Sequence, residues 1–137
     1  MKMTNVEPGS GALNVRAVVL TADKFEDMEL FVPYFRLLDA GARVDIAAPS
    51  LDDIGGEHVY VVAPDLLIED VNPDAYDLLI VPGGFPDGAP ATVRGIVKAQ
   101  EIARSFFDKN KPVASIWRLS GSSWNFGGDP HGLTVRR

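Results

Sequence analysis

The sequence predicts an α/β protein: a parallel β-sheet with helices packed on both faces. Three observations predict it. Short, largely apolar runs recur at 14–21, 43–48, 77–82 and 111–116, and the run DLLIVP has the continuous apolar character of a strand covered on both sides. Apolar residues recur at helical spacing in two of the intervening segments. Strand and helix alternate along the chain, the order that builds parallel sheets through crossover helices.

The elements follow in order. Residues 14–21 are β-branched and apolar, a buried strand. After the polar turn ADKFED, the segment MELFVPYFRLLDAG carries Met28, Phe31, Phe35 and Leu38 at helical spacing, with Gly41 as its stop. Pro33 fits the first turn of that helix or kinks it. Residues 43–48 form the second strand. The stretch GGEHVYVVAPD predicts a hairpin, with Gly55 and Gly56 as its turn and His58 to Val62 as an edge strand. The connector DLLIEDVNPDAYD holds a short helical turn near Asn72, and 77–82 is the third strand. Residues 91–108 place Val93, Ile96, Val97, Ile102, Ala103 and Phe106 on one face of a helix. The fourth strand, KPVASI, spans 111–116. Right-handed crossovers then give a flavodoxin-like, doubly wound sheet, with the ligand site at the carboxyl ends of the strands.

Composition bounds the function. The 137 residues suffice for one domain with a core, and 46% are hydrophobic and 23% charged, a soluble globular profile. A net charge of −6 opposes binding to phosphate backbones and anionic membranes, so neither nucleic acid nor membrane is an expected partner. No apolar run reaches the ~18 residues of a membrane span, and the amino-terminal residues lack the apolar core of a signal peptide. The expected location is cytoplasmic. Residues 1–13 are expected to be a disordered lead-in, 14–116 the α/β domain and 117–137 a divergent segment. There is no cysteine, which removes disulfides, thiolate metal sites and a cysteine nucleophile.

Three loops should meet at the site. The first, TADKFEDMEL, has no glycine and four acids, Asp23, Glu26, Asp27 and Glu29, so it would repel phosphate. A receiver domain would need an aspartate at the end of the third strand, where Pro82 stands. Glu29 begins a helix near the end of the fourth strand. A carboxyl there can hydrogen-bond a nucleophile, or it is simply an acid favoured by the helix dipole. The second loop, VPGGFPDG, brings the amides of Gly83 and Gly84 to a strand end, where they can serve as oxyanion donors or form a plain turn. The third loop should present a nucleophile at an elbow, yet Ile116 is followed by Trp117, Arg118 and Leu119. Ser120, Ser122 and Ser123 do not fit a serine elbow, and His58 and His131 form no metal signature. No cofactor or metal is expected.

The segments LTADKFEDMELFVPYFRLLDAGARVDIAAPS, DAYDLLIVPGGFPDG and KPVASI, in this order and spacing, resemble the ThiJ/PfpI family, intracellular-protease-like members of the class I glutamine amidotransferase-like superfamily. The resemblance runs from about Val15 to Ile116. It implies a flavodoxin-like sandwich, a homo-oligomer, and peptidase, glyoxalase-like, deglycase-like or chaperone activity on a peptide or small molecule. It also implies a cysteine directly after the fourth strand, hydrogen-bonded by Glu29, with the Gly84 amide contributing to an oxyanion hole. Here Trp117 holds the position of that cysteine and Arg118 that of the following histidine, and RLSGSSWNFGGDPHG lacks the apolar helix that would come next.

Such proteins continue beyond the point matching Arg137, so the fold is expected to be incomplete at its carboxyl end. Its fourth strand would then lack cover and a neighbour, giving a marginal or oligomer-dependent domain. A reading-frame slip near codon 117, restored near His131, would account for the altered elbow, because bases encoding WNFGG can be read in the neighbouring frame as GISAG, the family's helix. The expected function is a ThiJ/PfpI-type hydrolase that is inactive as written. The alternative is a non-catalytic, oligomerising or small-molecule-binding remnant of the fold.

Overall fold

The computed structural model describes residues 2–3 and 14–116. Trp117, Arg118, the serine-rich stretch and His131 lie outside the described residues, as do residues 1, 4–13 and 117–137 at large; within the expected lead-in, Lys2–Met3 is described as a short strand.

The core is a five-stranded sheet. In chain order its strands are β2 (Arg16–Leu20), β3 (Arg43–Ala48), β6 (Leu66–Leu67), β7 (Leu78–Val81) and β8 (Val113–Ser115), arranged β6-β3-β2-β7-β8. Every pairing in it is parallel. The doubly wound α/β expectation holds. β2 is central, and Ala17, Val18, Val19 and Leu20 are buried on both faces, which is why this segment is apolar without alternation. Among the described residues β8 pairs only with β7 and forms an edge. A second small sheet joins β1 (Lys2–Met3), β5 (Val61–Val62) and β4 (Ile54–Gly55).

Three details depart from the sequence reading. The helix α1 (Asp27–Asp39) runs through Pro33, and its buried residues are Asp27, Leu30 and Tyr34, whereas Met28 and Phe35 are exposed. Apolar residues occupy more than one face of α1: of the four expected, Phe31 and Leu38 pack against the core and Met28 and Phe35 do not. The hairpin strands are shorter than expected: Gly55 lies in β4, His58 lies in the turn, and β5 is confined to Val61–Val62. The single helix over 91–108 is two, α2 (Ala89–Arg94) and α3 (Val97–Asp108), with Gly95 capping the first. The break lets Val93 and the stripe Ala99, Ile102, Ala103 and Phe106 all reach the core, while Val97 points to solvent. The helical turn at Asn72 is present at Pro73–Ala75, and the Asn72 side chain accepts from the Asp74 N–H.

The far end of the sheet is held by polar contacts. The Lys111 ammonium donates to the carbonyls of Pro73 and Tyr76, each at 2.7 Å, and stands 4.5 Å from the centre of the Phe106 ring. The Tyr76 hydroxyl donates to Asp45 at 2.7 Å under the Arg16 guanidinium. Burial pushes the Tyr76 hydroxyl pKa well up, reinforced by its bond to Asp45.

Candidate functional site

At the carboxyl end of the sheet the loop 23–26 threads between two other loops. On one side lies the hairpin. The Lys24 N–H donates to Gly55 O at 2.7 Å, the Glu57 N–H to Phe25 O at 2.8 Å, and the Gly55 N–H to the Asp23 carboxylate at 2.8 Å. On the other side lies the PGG loop. The Glu26 N–H donates to Gly83 O at 3.0 Å and the Phe85 N–H to Lys24 O at 3.2 Å. Phe25 therefore bridges Gly56 and Gly84 at once, and its ring is fully buried. The Phe25–Gly84 crossing is so close that a β-carbon on Gly84 would come within 2.2 Å of the Lys24 carbonyl oxygen. This explains glycine at that position by steric fit.

Glu29 sits at the first turn of α1. The helix begins with Glu26 as its cap, whose carboxylate accepts from the Glu29 N–H at 2.8 Å. This directs the Glu29 side chain back toward the PGG loop, where its Oε2 accepts from the Gly83 N–H at 2.6 Å. A β-carbon on Gly83 would fall 2.5 Å from Glu29 Oε2 and 2.9 Å from the Ile116 carbonyl oxygen. The last described residue after β8 thus adjoins the Glu29–Gly83 pair. Glu29 and Gly84, both singled out from sequence, share this locality, and Gly83 is the glycine whose amide binds the carboxylate. The Gly84 N–H takes no part in the Phe25 ladder, since the flanking Gly83 carbonyl and Phe85 amide supply its bonds.

The sequence reading missed two features. Glu26 is a helix cap, which the spacing of Glu26 and Glu29 could have suggested. The second is a contact between α1 and the hairpin turn. Asp27 is buried, and its Oδ2 accepts from the His58 backbone N–H at 3.1 Å and pairs with His58 Nδ1 at 2.8 Å. That hydrogen bond raises the His58 pKa, aided by the charges of Asp27, Glu26 and Glu57 and opposed by desolvation. Glu26, Asp27 and His58 bring possible ligand atoms within 4.8 Å of one another. Glu26 serves as the cap and Asp27 Oδ2 meets His58, while the other Asp27 oxygen, Oδ1, is buried without a hydrogen-bond partner and faces Gly56, 2.3 Å from where a β-carbon would stand.

A family model described as the DJ-1/PfpI family matches residues 15–118. A deglycase of Pyrococcus abyssi is 48% identical over 102 residues, covering 74% of this chain and 60% of that protein. Deglycase PfpI of Pyrococcus furiosus is 46% identical over the same shares of each chain. Among solved structures, oxidized DJ-1 of Toxoplasma gondii superimposes with a TM-score of 0.67 at 24% identity, covering 74% of this chain and 54% of that one. That identity bears on the fold alone. The chain spans about 60% of the length of the curated relatives it matches. No helix among the described residues is long and apolar enough to cross a membrane. With a family match across three quarters of its length and a common sheet architecture, the chain belongs to the DJ-1/PfpI family.

Proposed function

We propose that this chain is a DJ-1/PfpI-type hydrolase domain, of the cysteine peptidase or glyoxalase/deglycase kind, that is catalytically silent as written. The observation that carries the reading is the Glu29 carboxylate, held at 2.6 Å by the Gly83 amide and adjoining the Ile116 carbonyl. In this arrangement the residue after Ile116 is the one Glu29 would serve. Glu29 would hydrogen-bond the nucleophile, and the Gly84 amide would face the developing oxyanion. Trp117 stands where the nucleophilic cysteine would be and Arg118 where the histidine would be. With no cysteine in the 137 residues, thiolate chemistry cannot run. A peptide or small-molecule substrate and a cytoplasmic location belong to the same proposal.

The test is an assay of the purified chain for peptide hydrolysis, methylglyoxal consumption and deglycation. The chain as written gives no turnover. Trp117→Cys combined with Arg118→His gives turnover that Glu29→Ala removes. Turnover by the chain as written that survives Glu29→Ala would reject the site. Sequencing the gene across codons 115–132 separates a slip of reading frame from a loss in the protein.

A second reading is a non-catalytic, oligomerising form of the fold. It is favoured by Met28, Val32 and Phe35, which present an exposed apolar stripe on α1 at 59%, 48% and 46% exposure. Sedimentation of the chain as written tests it, with a homo-oligomer expected and a monomer opposing it.

A further inference from the structure

The Asp27–His58 contact lies outside the Glu29–Gly83 pair, and the proposed chemistry does not use it. Its position is nonetheless central. His58 is in the turn of the hairpin, and Asp27 is the first residue of the helix that carries Glu29, next to the cap Glu26. The hairpin holds loop 23–26 through Lys24, Phe25 and Asp23. That loop in turn holds the PGG turn through the Glu26 N–H to Gly83 O bond and the Phe85 N–H to Lys24 O bond. The hairpin, the loop and the PGG turn form one continuous hydrogen-bonded assembly, with the Asp27–His58 pair at one end and the Glu29–Gly83 contact at the other.

We propose that Asp27 and His58 are positioning residues: they clamp the hairpin turn onto loop 23–26 and, through that loop, hold Gly83 in register with Glu29. Two observations argue for a dedicated clamp. Asp27 is buried at a helix terminus where an exposed acid would serve the dipole equally well. The hairpin also seats a glycine, Gly56, directly against the Asp27 carboxylate, where a β-carbon would lie 2.7 Å from Cγ. The turn is thus shaped to lie on this side chain, and His58 delivers two donors to a single oxygen.

The imidazole makes the clamp sensitive to protons. Among the described residues, the charged groups that act on His58 are acids: Asp27 from α1, Glu26 from its cap and Glu57 from the hairpin. Lys24, the base in this loop, pairs with Asp87 instead. All three acids favour imidazolium, and the folded pKa is raised above 6.5. The sign follows. The charged clamp is fully present below the unfolded value of 6.5 and weakens as pH rises through the higher folded value. The effect on Glu29 rests on the proposed site, but the clamp itself does not, and its test needs no turnover.

The test follows amide resonances of the labelled full chain from about pH 5.5 to about pH 8.5, spanning the ordinary imidazole range. In the parent, the Lys24, Glu57 and Gly83 amides share one inflection above 6.5. Exchange protection at Lys24 and Glu57, corrected for the intrinsic rate, falls about three- to tenfold across it, the loss expected for one hydrogen bond. His131→Gln leaves the inflection in place, His58→Gln abolishes it, and Asp27→Asn moves it down together with the His58 ring titration. His58 is exposed, so His58→Gln leaves the core untouched. An inflection that survives His58→Gln overturns the proposal. So does a Gly83 amide that stays flat while the His58 ring titrates.

Discussion

Replacing Gly84 by alanine tests whether the crossing of loop 23–26 over the PGG turn is as tight as the structure describes. The new β-carbon would lie 2.2 Å from the Lys24 carbonyl oxygen and 3.0 Å from the Phe25 Cα, against about 3.4 Å for ordinary contact. Both neighbours are backbone, so no side chain can swing aside. The strands must part by about 1 Å, an overpacking strain of about 1–3 kcal/mol. Parting them also stretches the Glu26 N–H to Gly83 O and Phe85 N–H to Lys24 O bonds, at about 0.5–1.5 kcal/mol each if lost. Alanine stiffens the unfolded chain by about 0.4–1 kcal/mol, but at the Gly84 φ of 158° the strain on an L residue offsets that gain. The net is about 2–3 kcal/mol, or a fall in Tm of about 10 °C for a domain of this size. Gly55→Ala is the control, because its β-carbon meets nothing within 4 Å, and its melting point should move by no more than about 2 °C. Thermal unfolding by circular dichroism reads both. A Gly84→Ala melt within about 2 °C of the parent, or an equal fall for Gly55→Ala, would refute the steric argument.

Two further outcomes are expected. Lys111→Met retains the stem over Phe106 but removes both donors to the Pro73 and Tyr76 carbonyls, costing about 1–3 kcal/mol in denaturant unfolding; an unchanged midpoint would discard this tether. Asp65, which accepts from the Ile46 N–H at 2.7 Å, has its pKa raised above 3.8 chiefly by desolvation of its carboxylate. Its charge therefore costs stability above the folded pKa, and the cost is relieved as pH falls through that value towards 3.8. Asp65→Asn keeps the bond to Ile46 and should flatten this part of the pH–stability curve, whereas an identical curve would contradict the assignment.

The sheet was legible because its strands are buried on both faces: Val18, Val19, Leu79 and Ile80 leave no ambiguity of period. The helix face of α1 was only half legible: Phe31 and Leu38 pack against the core, but Met28 and Phe35 are as apolar as Leu30 and Tyr34, and only packing shows which of them turn inward. The break at Gly95 was hidden for a similar reason, as apolar residues continue at near-helical spacing on both sides of it. β6 pairs through two residues, Leu66 and Leu67, too few to make a pattern. At the site, residue type marked Glu29 and the paired glycines, but not which amide meets the carboxylate. The Asp27–His58 contact joins residues 31 positions apart, and no local signal connects them.

The central proposal is that Glu29 serves the residue that follows Ile116. The chain has no other cysteine, so Trp117→Cys introduces a lone thiol whose pKa can be measured by its rate of alkylation against pH. A carboxyl within about 4–6 Å shifts such a group by about one unit or more. The account predicts that Trp117→Cys alone and Trp117→Cys with Glu29→Gln give thiol pKa values at least about one unit apart. The direction reports whether the carboxyl meets the thiolate as a donor or as an anion. Equal values in the two proteins would contradict the account and remove position 117 from the site.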